Sequence, residues 1–374
     1  MHTISFSKIN IKKKDLSLIN KILLSGKLTH GKYTDEFEQL FCKYTGTKYA
    51  ITLSSCTAGL HLSCLALGIG TGDEVIVPAM THTATAHAVE YTGAKAIFAD
   101  IQYNTGNITD LDILDKISKK TKAVIIVHMA GLSVDMDGIL KITKKHNIHL
   151  IEDCAHGLGT TYKKKHVGNY GKCASFSFYP TKQITTGEGG MFVTNQKNIY
   201  NKVKQLKAFG IDSPPNLRRR PGIYDVKSLG FNYRMTEFQA ALGLIQLKKY
   251  KIYLSIRKRN AKYLINQISN LSNIFTQPFD MNHSYFVLQI FFKNKLKRNF
   301  ASFYLKKNNL GFSIHYARPL PLMSFYRKRN KEQGKFKNSS KYSNNSISLP
   351  VYNKLTKNDL NFISNKLKKL DAIL

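Results

Sequence analysis

Short apolar runs alternate with amphipathic segments along the first two thirds of this 374-residue chain. Apolar runs of strand length occur at residues 50–53, 75–77, 96–99, 122–127 and 148–151, and helical spacing of apolar side chains fills several of the gaps between them. Strand, helix and strand in alternation indicate a parallel sheet joined by crossover helices. The pattern therefore predicts an α/β fold.

The pattern changes at about residue 251, where a smaller and more polar region begins. We predict a large domain over residues 1–250 and a small C-terminal α/β domain over residues 251–374, a division that the chain length allows. Strands are expected there at 285–290 and 312–314. The polar stretch 338–346 is expected to be a mobile loop.

The segment from residue 151 to residue 195 carries the strongest chemical signal. An apolar run ends there at Glu152 and Asp153, and α/β sheets bind ligands at the carboxyl ends of such strands. A strand pattern at 175–178 leads to Lys182, and the glycine-rich turn 187–190 allows close approach of the backbone to a ligand. An amine, a carboxylate and phosphate-binding donors are what pyridoxal phosphate (PLP) requires. Composition alone would still favour a surface position for Lys182.

Four motifs in this order resemble those of the DegT/StrS-type sugar aminotransferases, which are PLP enzymes of fold type I. They are EDCAH at 152–156, the glycine pair of 168–171, SFYPTK at 177–182 and GEGG at 187–190. A further segment, LGFNYRMTE at 229–237, also matches the family and precedes an apolar helix. The resemblance covers nearly the whole chain and is strongest from residue 50 to residue 250. It implies a large domain with a mainly parallel sheet between helices, followed by a smaller α/β domain.

The resemblance implies roles for individual residues. Lys182 would hold PLP as a Schiff base and then transfer the proton as general base and acid, while Asp153 would pair with the ring nitrogen. The other implied cofactor contacts are stacking by His82, a contact of His156 with the 3′-oxygen, and phosphate contacts by Thr57, Ala58, Ser177 and Asn232. The implied substrate contacts are Thr29, Gly31, His315 and Tyr316. No metal site is expected.

Two positions depart from the family pattern. Cys56 stands where the family usually has a glycine in the phosphate-binding turn, and His82 stands where the family has an aromatic ring. The turn at 54–58 still has small and hydroxyl residues before a helix, so its backbone N–H groups can bind an anion. An ordinary Ser or Thr N-cap is an equally good interpretation of that turn, and the two are compatible.

The resemblance implies an aminotransferase that moves the amino group of glutamate to a nucleotide-linked 3-keto- or 4-keto-6-deoxyhexose. It also implies a homodimer with shared active sites, in which Asn232 reaches the cofactor phosphate of the neighbouring subunit. Three alternatives stay open. A PLP-dependent sugar dehydrase of the same fold has histidine in place of the lysine, so Lys182 argues against it. The others are a catalytically inactive scaffold and a nucleic-acid-binding or regulatory protein.

The chain is strongly basic, with 57 Lys and Arg against 23 Asp and Glu and a formal net charge of +34. The lysines are spread along the whole chain, and we find no helix-turn-helix or RNA-binding motif, so no nucleic-acid partner is expected. The basic turn at 211–227 is either a solvated loop or a cover for the substrate's diphosphate.

The five cysteines have neither metal-ligand nor redox spacing, and a reduced compartment fits them best. No apolar run approaches membrane-spanning length, and the N-terminus lacks the apolar core of a signal peptide. We therefore expect a soluble cytoplasmic protein without a membrane partner.

Overall fold

The computed structural model describes residues 2–212, 220, 222–329 and 336–374. Helices and short strands alternate along this part of the chain. The α-helices are α1 (Lys13–Leu24), α2 (Lys32–Thr45), α3 (Cys56–Ala66), α4 (Thr83–Glu90), α5 (Asp110–Leu114), α6 (Met136–Lys145), α7 (Lys197–Leu206), α8 (Glu237–Lys248), α9 (Tyr250–Ile268), α10 (Lys295–Lys307), α11 (Ser324–Arg329), α12 (Lys337–Asn345) and α13 (Lys357–Ile373). The strands are β1 (Tyr49–Leu53), β2 (Glu74–Pro78), β3 (Lys95–Ala99), β4 (Thr121–Val127), β5 (His149–Asp153), β6 (Thr161–Tyr162), β7 (Lys165–His166), β8 (Cys173–Ser177), β9 (Gly190–Thr194), β10 (Ile274–Thr276), β11 (Leu288–Phe292) and β12 (Ser346–Leu349).

Seven strands form the central sheet, in the order β1-β9-β8-β5-β4-β2-β3. The run from β8 to β3 is parallel, and β9 is antiparallel to both of its neighbours. The predicted α/β fold with a mainly parallel sheet is confirmed. Because the parallel strands point the same way, their carboxyl ends share one edge, which is where ligands bind in such sheets.

Helices cover both faces of the sheet. In β2, Val75 and Val77 pack in the core that contains α3, α4 and α7, while Ile76 packs on the opposite face with Ile139 of α6. Successive side chains of a strand point to opposite faces, so a strand covered on both sides needs apolar residues at every position. This burial explains why the apolar runs in the sequence are continuous rather than alternating.

A second hydrophobic core lies in the C-terminal part of the chain, around the antiparallel sheet β10-β11-β12. Helix α9 connects the two cores, because its Tyr250 packs beside α2 and α8 while its Leu264 packs in the C-terminal core. Ile4 also belongs to that second core. The domain boundary after residue 250 stays a prediction.

The prediction of a loop at residues 338–346 is wrong, because α12 occupies most of it. The carboxylate of Asp100 accepts hydrogen bonds from the N–H groups of Asn338 and Ser339, at 3.0 and 2.8 Å, and so caps the start of this polar helix. The side chain of Tyr342 is fully buried and fixes the helix to the core. Asp100 is remote in sequence, so the polarity of residues 338–346 alone did not indicate a helix.

Two predicted strands are only partly present. The strand expected at 285–290 begins at Leu288, because Tyr285 has a φ of +50°, which lies outside the extended region. The strand expected at 312–314 is reduced to an isolated bridge between Ser313 and Ser348. Residues 213–219 and 221 of the predicted basic turn lie outside the described residues. Among the helices of the described chain, none has the length and apolarity needed to cross a bilayer.

Candidate active site

Asp153 ends β5 at the carboxyl edge of the sheet and is 3% exposed. Its Oδ2 accepts a hydrogen bond from Thr85 Oγ1 at 2.8 Å, and its Oδ1 accepts one from the N–H of Ala155 at 3.0 Å. The thiol of Cys56 lies 4.0 Å from Oδ1. A buried carboxylate fixed in this way is suited to bind a cationic group, since an isolated buried charge is costly.

Lys182 lies in the bend that follows β8, and its side chain is half-buried. Burial lowers the pKa of Lys182 to about 8, although nearby Cys56 and Asp153 oppose that effect. Its Nζ lies 4.6 Å from the centre of the Phe286 ring. The structure thus brings the two principal predicted residues into one site, with an amine that is partly unprotonated near neutral pH.

Aromatic and imidazole rings surround this amine. The His156 ring stacks on Phe286, with centroids 4.3 Å apart and planes 16° apart. His156 Nε2 lies 3.4 Å from Tyr316 Oη, while its buried Nδ1 has no hydrogen-bond partner. Burial, followed by the charges of Lys182, His315 and His82, holds the pKa of His156 well below its usual range. His156 is therefore a neutral ring with one free buried nitrogen.

His82 and His315 complete this group. His82 is exposed and caps α4, because its Nδ1 accepts the N–H of Ala84 at 3.1 Å, and its ring lies 5.8 Å from that of Tyr316. The His315 ring lies 5.7 Å from that of His156. Burial lowers the pKa of His315 to about 3, with smaller effects from Lys182 and His82. The predicted residues His82, His156, His315 and Tyr316 thus all lie around Lys182.

The N-terminus of α3 provides a second part of the site. Ser55 caps this helix, and its Oγ accepts the N–H of Ala58 at 3.0 Å. Gly190 pairs with Ser177 across β9 and β8, and a Cβ on Gly190 would lie 2.4 Å from the backbone of Ser55. The close approach brings Ser177 to the first turn of α3, which includes Thr57. This arrangement is typical of anion sites at helix N-termini, although the Ala58 N–H is already bonded to Ser55.

Three predicted residues lie outside this group. Asn232 is exposed and forms an isolated bridge with Ala208. Thr29 is exposed, and Gly31 precedes α2, where it lies against the carboxylate of Glu237 in α8. Their roles as cofactor or substrate contacts stay predictions.

Sequence reasoning missed Thr85 and Phe286. Thr81, which precedes α4, and Thr85, in the first turn of α4, are four residues apart, and their hydroxyl oxygens lie 2.7 Å from each other. That spacing alone does not identify their partner, because Asp153 is 68 residues further along the chain. Phe286 carried no signal, since it is one apolar residue in a predicted strand.

Glu152 fixes the end of β5 next to Asp153. Its carboxylate accepts the N–H groups of Gly168, Tyr170 and Gly171 at 2.7, 2.8 and 2.7 Å, and lies 3.2 Å from His128 Nε2. Burial favours a higher pKa for Glu152, but His128 and the backbone donors outweigh it and lower the pKa.

Glu152 also forms the only candidate metal cluster among the described residues. Ligand atoms of His128, Glu152 and Cys154 lie within 4.8 Å of one another. The carboxylate oxygens of Glu152 are already occupied by four donors, and His128 Nδ1 accepts the N–H of Val134 at 3.2 Å. The cluster is therefore a hydrogen-bonded support for the site.

The model of the DegT/DnrJ/EryC1/StrS aminotransferase family matches residues 9–368. The chain belongs to this family. It is 37% identical over 308 residues to a GDP-perosamine synthase of Escherichia coli, a match that covers 82% of this chain and 81% of that protein. It is 34% identical over 382 residues to the UDP-4-amino-4,6-dideoxy-N-acetyl-beta-L-altrosamine transaminase of Campylobacter jejuni, covering 97% and 96%.

Among solved structures, a sugar aminotransferase of Streptococcus pneumoniae in its PLP form superposes with a TM-score of 0.93. Its sequence is 28% identical, and the match covers 100% of this chain and 99% of that chain. The predicted family, the fold type I architecture and the aminotransferase activity are confirmed, and with the family comes its cofactor, PLP.

Proposed function

We propose that this aminotransferase transfers the amino group of glutamate to a nucleotide-linked keto-6-deoxyhexose, with Lys182 as the catalytic amine. The observation that carries the proposal is the meeting of Lys182 and Asp153 at the carboxyl edge of the parallel sheet. An amine with a pKa of about 8 is a better nucleophile near neutral pH than an ordinary lysine. A buried carboxylate beside it matches a cationic ring nitrogen.

The residues present fit PLP. When bound, PLP supplies a conjugated ring that accepts electrons from the substrate's α-carbon. Lys182 would bind its aldehyde carbon covalently, and Asp153 would accept a hydrogen bond from its ring nitrogen. The free buried Nδ1 of His156 is a polar atom that lacks a partner in this chain, and we assign it to the 3′-oxygen. The exposed imidazole of His82 would stack on the ring.

The phosphate would bind at the N-terminus of α3. Thr57 and Ser177 would contact it there, and the helix dipole favours a dianion. Ala58 would share its N–H between Ser55 and the phosphate. Asn232 is exposed in the single chain, and we propose that it contributes from the partner subunit of a homodimer with shared sites.

Lys182 also carries the proton. When its amine is free, Nζ of Lys182 would accept the proton of the donor's α-carbon as base and give it up again as acid. A pKa of about 8 suits both roles, because neither protonation state is strongly disfavoured near neutral pH. His82, His156 and His315 have lowered pKa values and are neutral neighbours that do not compete for this proton.

The sugar acceptor is supported by the relatives. Two of them are named for reactions of GDP- and UDP-linked amino sugars, and both match most of this chain. We infer a nucleotide-linked keto-sugar as acceptor, with His315 and Tyr316 at the mouth of the site. Thr29 and Gly31 remain proposed substrate contacts near the start of α2.

The experiment is a panel of GDP-, UDP- and dTDP-linked 3-keto- and 4-keto-6-deoxyhexoses, each incubated with glutamate and the PLP-loaded protein. Product mass and NMR should show an amino group at the former ketone, with 2-oxoglutarate formed in equal amount. A product that has instead lost a hydroxyl would support the dehydrase alternative.

Lys182→Ala is the matched variant for the same panel. It should form no amino sugar, and borohydride should fix cofactor to the wild-type peptide that contains Lys182 but not to the variant. Continued turnover by the variant would contradict the assignment.

A further inference from the structure

We propose that Arg257 of α9 is a positioning residue for Lys182. Its guanidinium holds the backbone of Tyr285 and Phe286 so that the Phe286 ring stays against the Lys182 amine and the His156 imidazole. The inference rests on the proposed role of Lys182 and extends it to a helix that connects the two cores of the chain.

Phe286 contacts both reactive groups of the site. Lys182 Nζ lies over its ring at 4.6 Å, and His156 stacks on it at 4.3 Å. The ring is 3% exposed. A cation within about 6 Å of an aromatic centroid is attracted to the ring face. Phe286 therefore favours the ammonium form of Lys182 while it keeps His156 in a fixed plane.

The backbone that carries this ring does not continue a regular strand. Tyr285 has a φ of +50°, which is unfavourable for a residue with a bulky side chain. On one side, the N–H of Phe286 donates to the carbonyl of Ala130 at 3.0 Å. On the other side, Arg257 Nη1 lies 3.3 Å from the carbonyl oxygens of Tyr285 and Phe286. Two attachments thus fix the peptide groups that flank the ring.

Arg257 is 4% exposed, and no carboxylate pairs with it in the described chain. Its buried Nε has no acceptor. A buried cation without an acid is costly, and leaving one of its nitrogens unpaired adds to that cost. The contacts that offset this cost are the hydrogen bonds of the guanidinium to the carbonyl oxygens of Tyr285 and Phe286.

The sign of the expected effect separates this role from a simple charge effect. Removing a nearby positive charge raises the pKa of an amine, because the ammonium form is then repelled less. Moving an aromatic ring away from the amine lowers the pKa, because the ring face no longer attracts the ammonium form. Arg257→Gln should therefore lower the pKa of Lys182 if it acts through Phe286. The other titratable groups around Lys182 stay in place and are Asp153, Cys56, His82, His156 and His315.

The experiment measures the rate at which cofactor-free protein captures PLP covalently, by visible absorbance, from about pH 6 to about pH 10. Phe286→Leu should lower the apparent pKa of Lys182 by about half a unit or more. Arg257→Gln should shift it in the same direction, and Arg257→Lys, which keeps a charged donor of longer reach than the Gln amide, should shift it less. Adding Arg257→Gln to Phe286→Leu should produce little further change.

Lys258→Gln is the matched control. Lys258 is the next residue of α9 and donates to the carbonyl of Met281 in the same connecting segment, so its loss should leave the pKa of Lys182 unchanged. An upward shift or no shift in Arg257→Gln would overturn the proposal, as would a full additional shift in the double variant. Should Arg257→Gln fail to fold, the direction of the shift in Arg257→Lys decides. A downward shift of the Lys182 pKa supports the proposal, and an upward shift or no shift overturns it.

Failure of the proposed function looks different. If the wild-type protein captures no PLP at Lys182, the assignment of the catalytic amine fails. If the wild type captures PLP normally and only the shifts are missing, the role of Arg257 alone is refuted.

Discussion

The hydroxyl oxygen of Thr85 lies 2.8 Å from Oδ2 of Asp153. A carboxylate only accepts, so Thr85 donates this hydrogen bond, and the hydroxyl of Thr81, 2.7 Å away, must then donate to Thr85. Thr85 in the first turn of α4 and Thr81 just before the helix thus form a chain of two hydroxyls that ends at the buried carboxylate. This support fixes the acid that we assign to the ring nitrogen of the cofactor.

Thr85→Val should weaken the binding of PLP about tenfold or more, because it removes a hydrogen bond to a charged group without changing side-chain shape. Equilibrium titration of the cofactor-free variant, followed by visible absorbance, measures the change. Thr92→Val is the control, since Thr92 follows α4 and its hydroxyl bonds only to backbone groups, the carbonyl of Val89 and the N–H of Ala94. Equal PLP affinities of Thr85→Val and the wild type would show that Thr85 does not contribute to cofactor binding.

Gly190→Ala should disturb the phosphate end of the site selectively. Its new Cβ would lie 2.4 Å from the carbonyl carbon of Ser55 and 2.5 Å from the nitrogen of Cys56, so the start of α3 would have to move. The affinity for PLP should fall by about tenfold or more, whereas that for unphosphorylated pyridoxal should change little. Gly70→Ala has room for its Cβ and serves as the control. A parallel loss for both ligands would argue against a phosphate site at α3.

Motifs that lie close together in the sequence were the part of the site that sequence reasoning could predict. Lys182 and Asp153 are connected by one continuous segment whose strand pattern and glycines are visible locally. Phe286 depends instead on Arg257 of α9 and Ala130 after β4, which the fold alone brings together. Helix α12 was missed for the same reason, since Asp100 caps it from 238 residues away. Contacts between residues so far apart in the sequence produce no local hydrophobic pattern from which they could be predicted.

Glu152→Gln should destabilise the protein by about 3 kcal/mol or more at neutral pH, because an NH2 group replaces one of the two acceptor oxygens and would face buried N–H donors without an acceptor. Urea unfolding of the cofactor-free protein measures this change. Glu36→Gln, which alters an exposed residue of α2, should have little effect.

The same substitution should change the pH dependence of stability. The pKa of Glu152 is lowered from its usual 4.5, so its contribution is fully present above that value and is lost as the pH falls through the folded-state pKa. The variant should therefore lose less stability on acidification than the wild type. A variant with unchanged stability and an unchanged acid profile would show that Glu152 is not the support that its contacts indicate.

Subunit mixing tests whether Asn232 acts across a dimer. If each site takes Lys182 from one subunit and Asn232 from the other, Lys182→Ala and Asn232→Ala homodimers should both be nearly inactive. In the mixed dimer, one site then collects both substitutions and the other collects neither. Because half of a random mixture is heterodimer, about a quarter of the wild-type activity should return after the two variants are unfolded and refolded together. If Asn232 serves its own chain, every site carries a substitution and no activity returns, so the recovered fraction decides between the two arrangements.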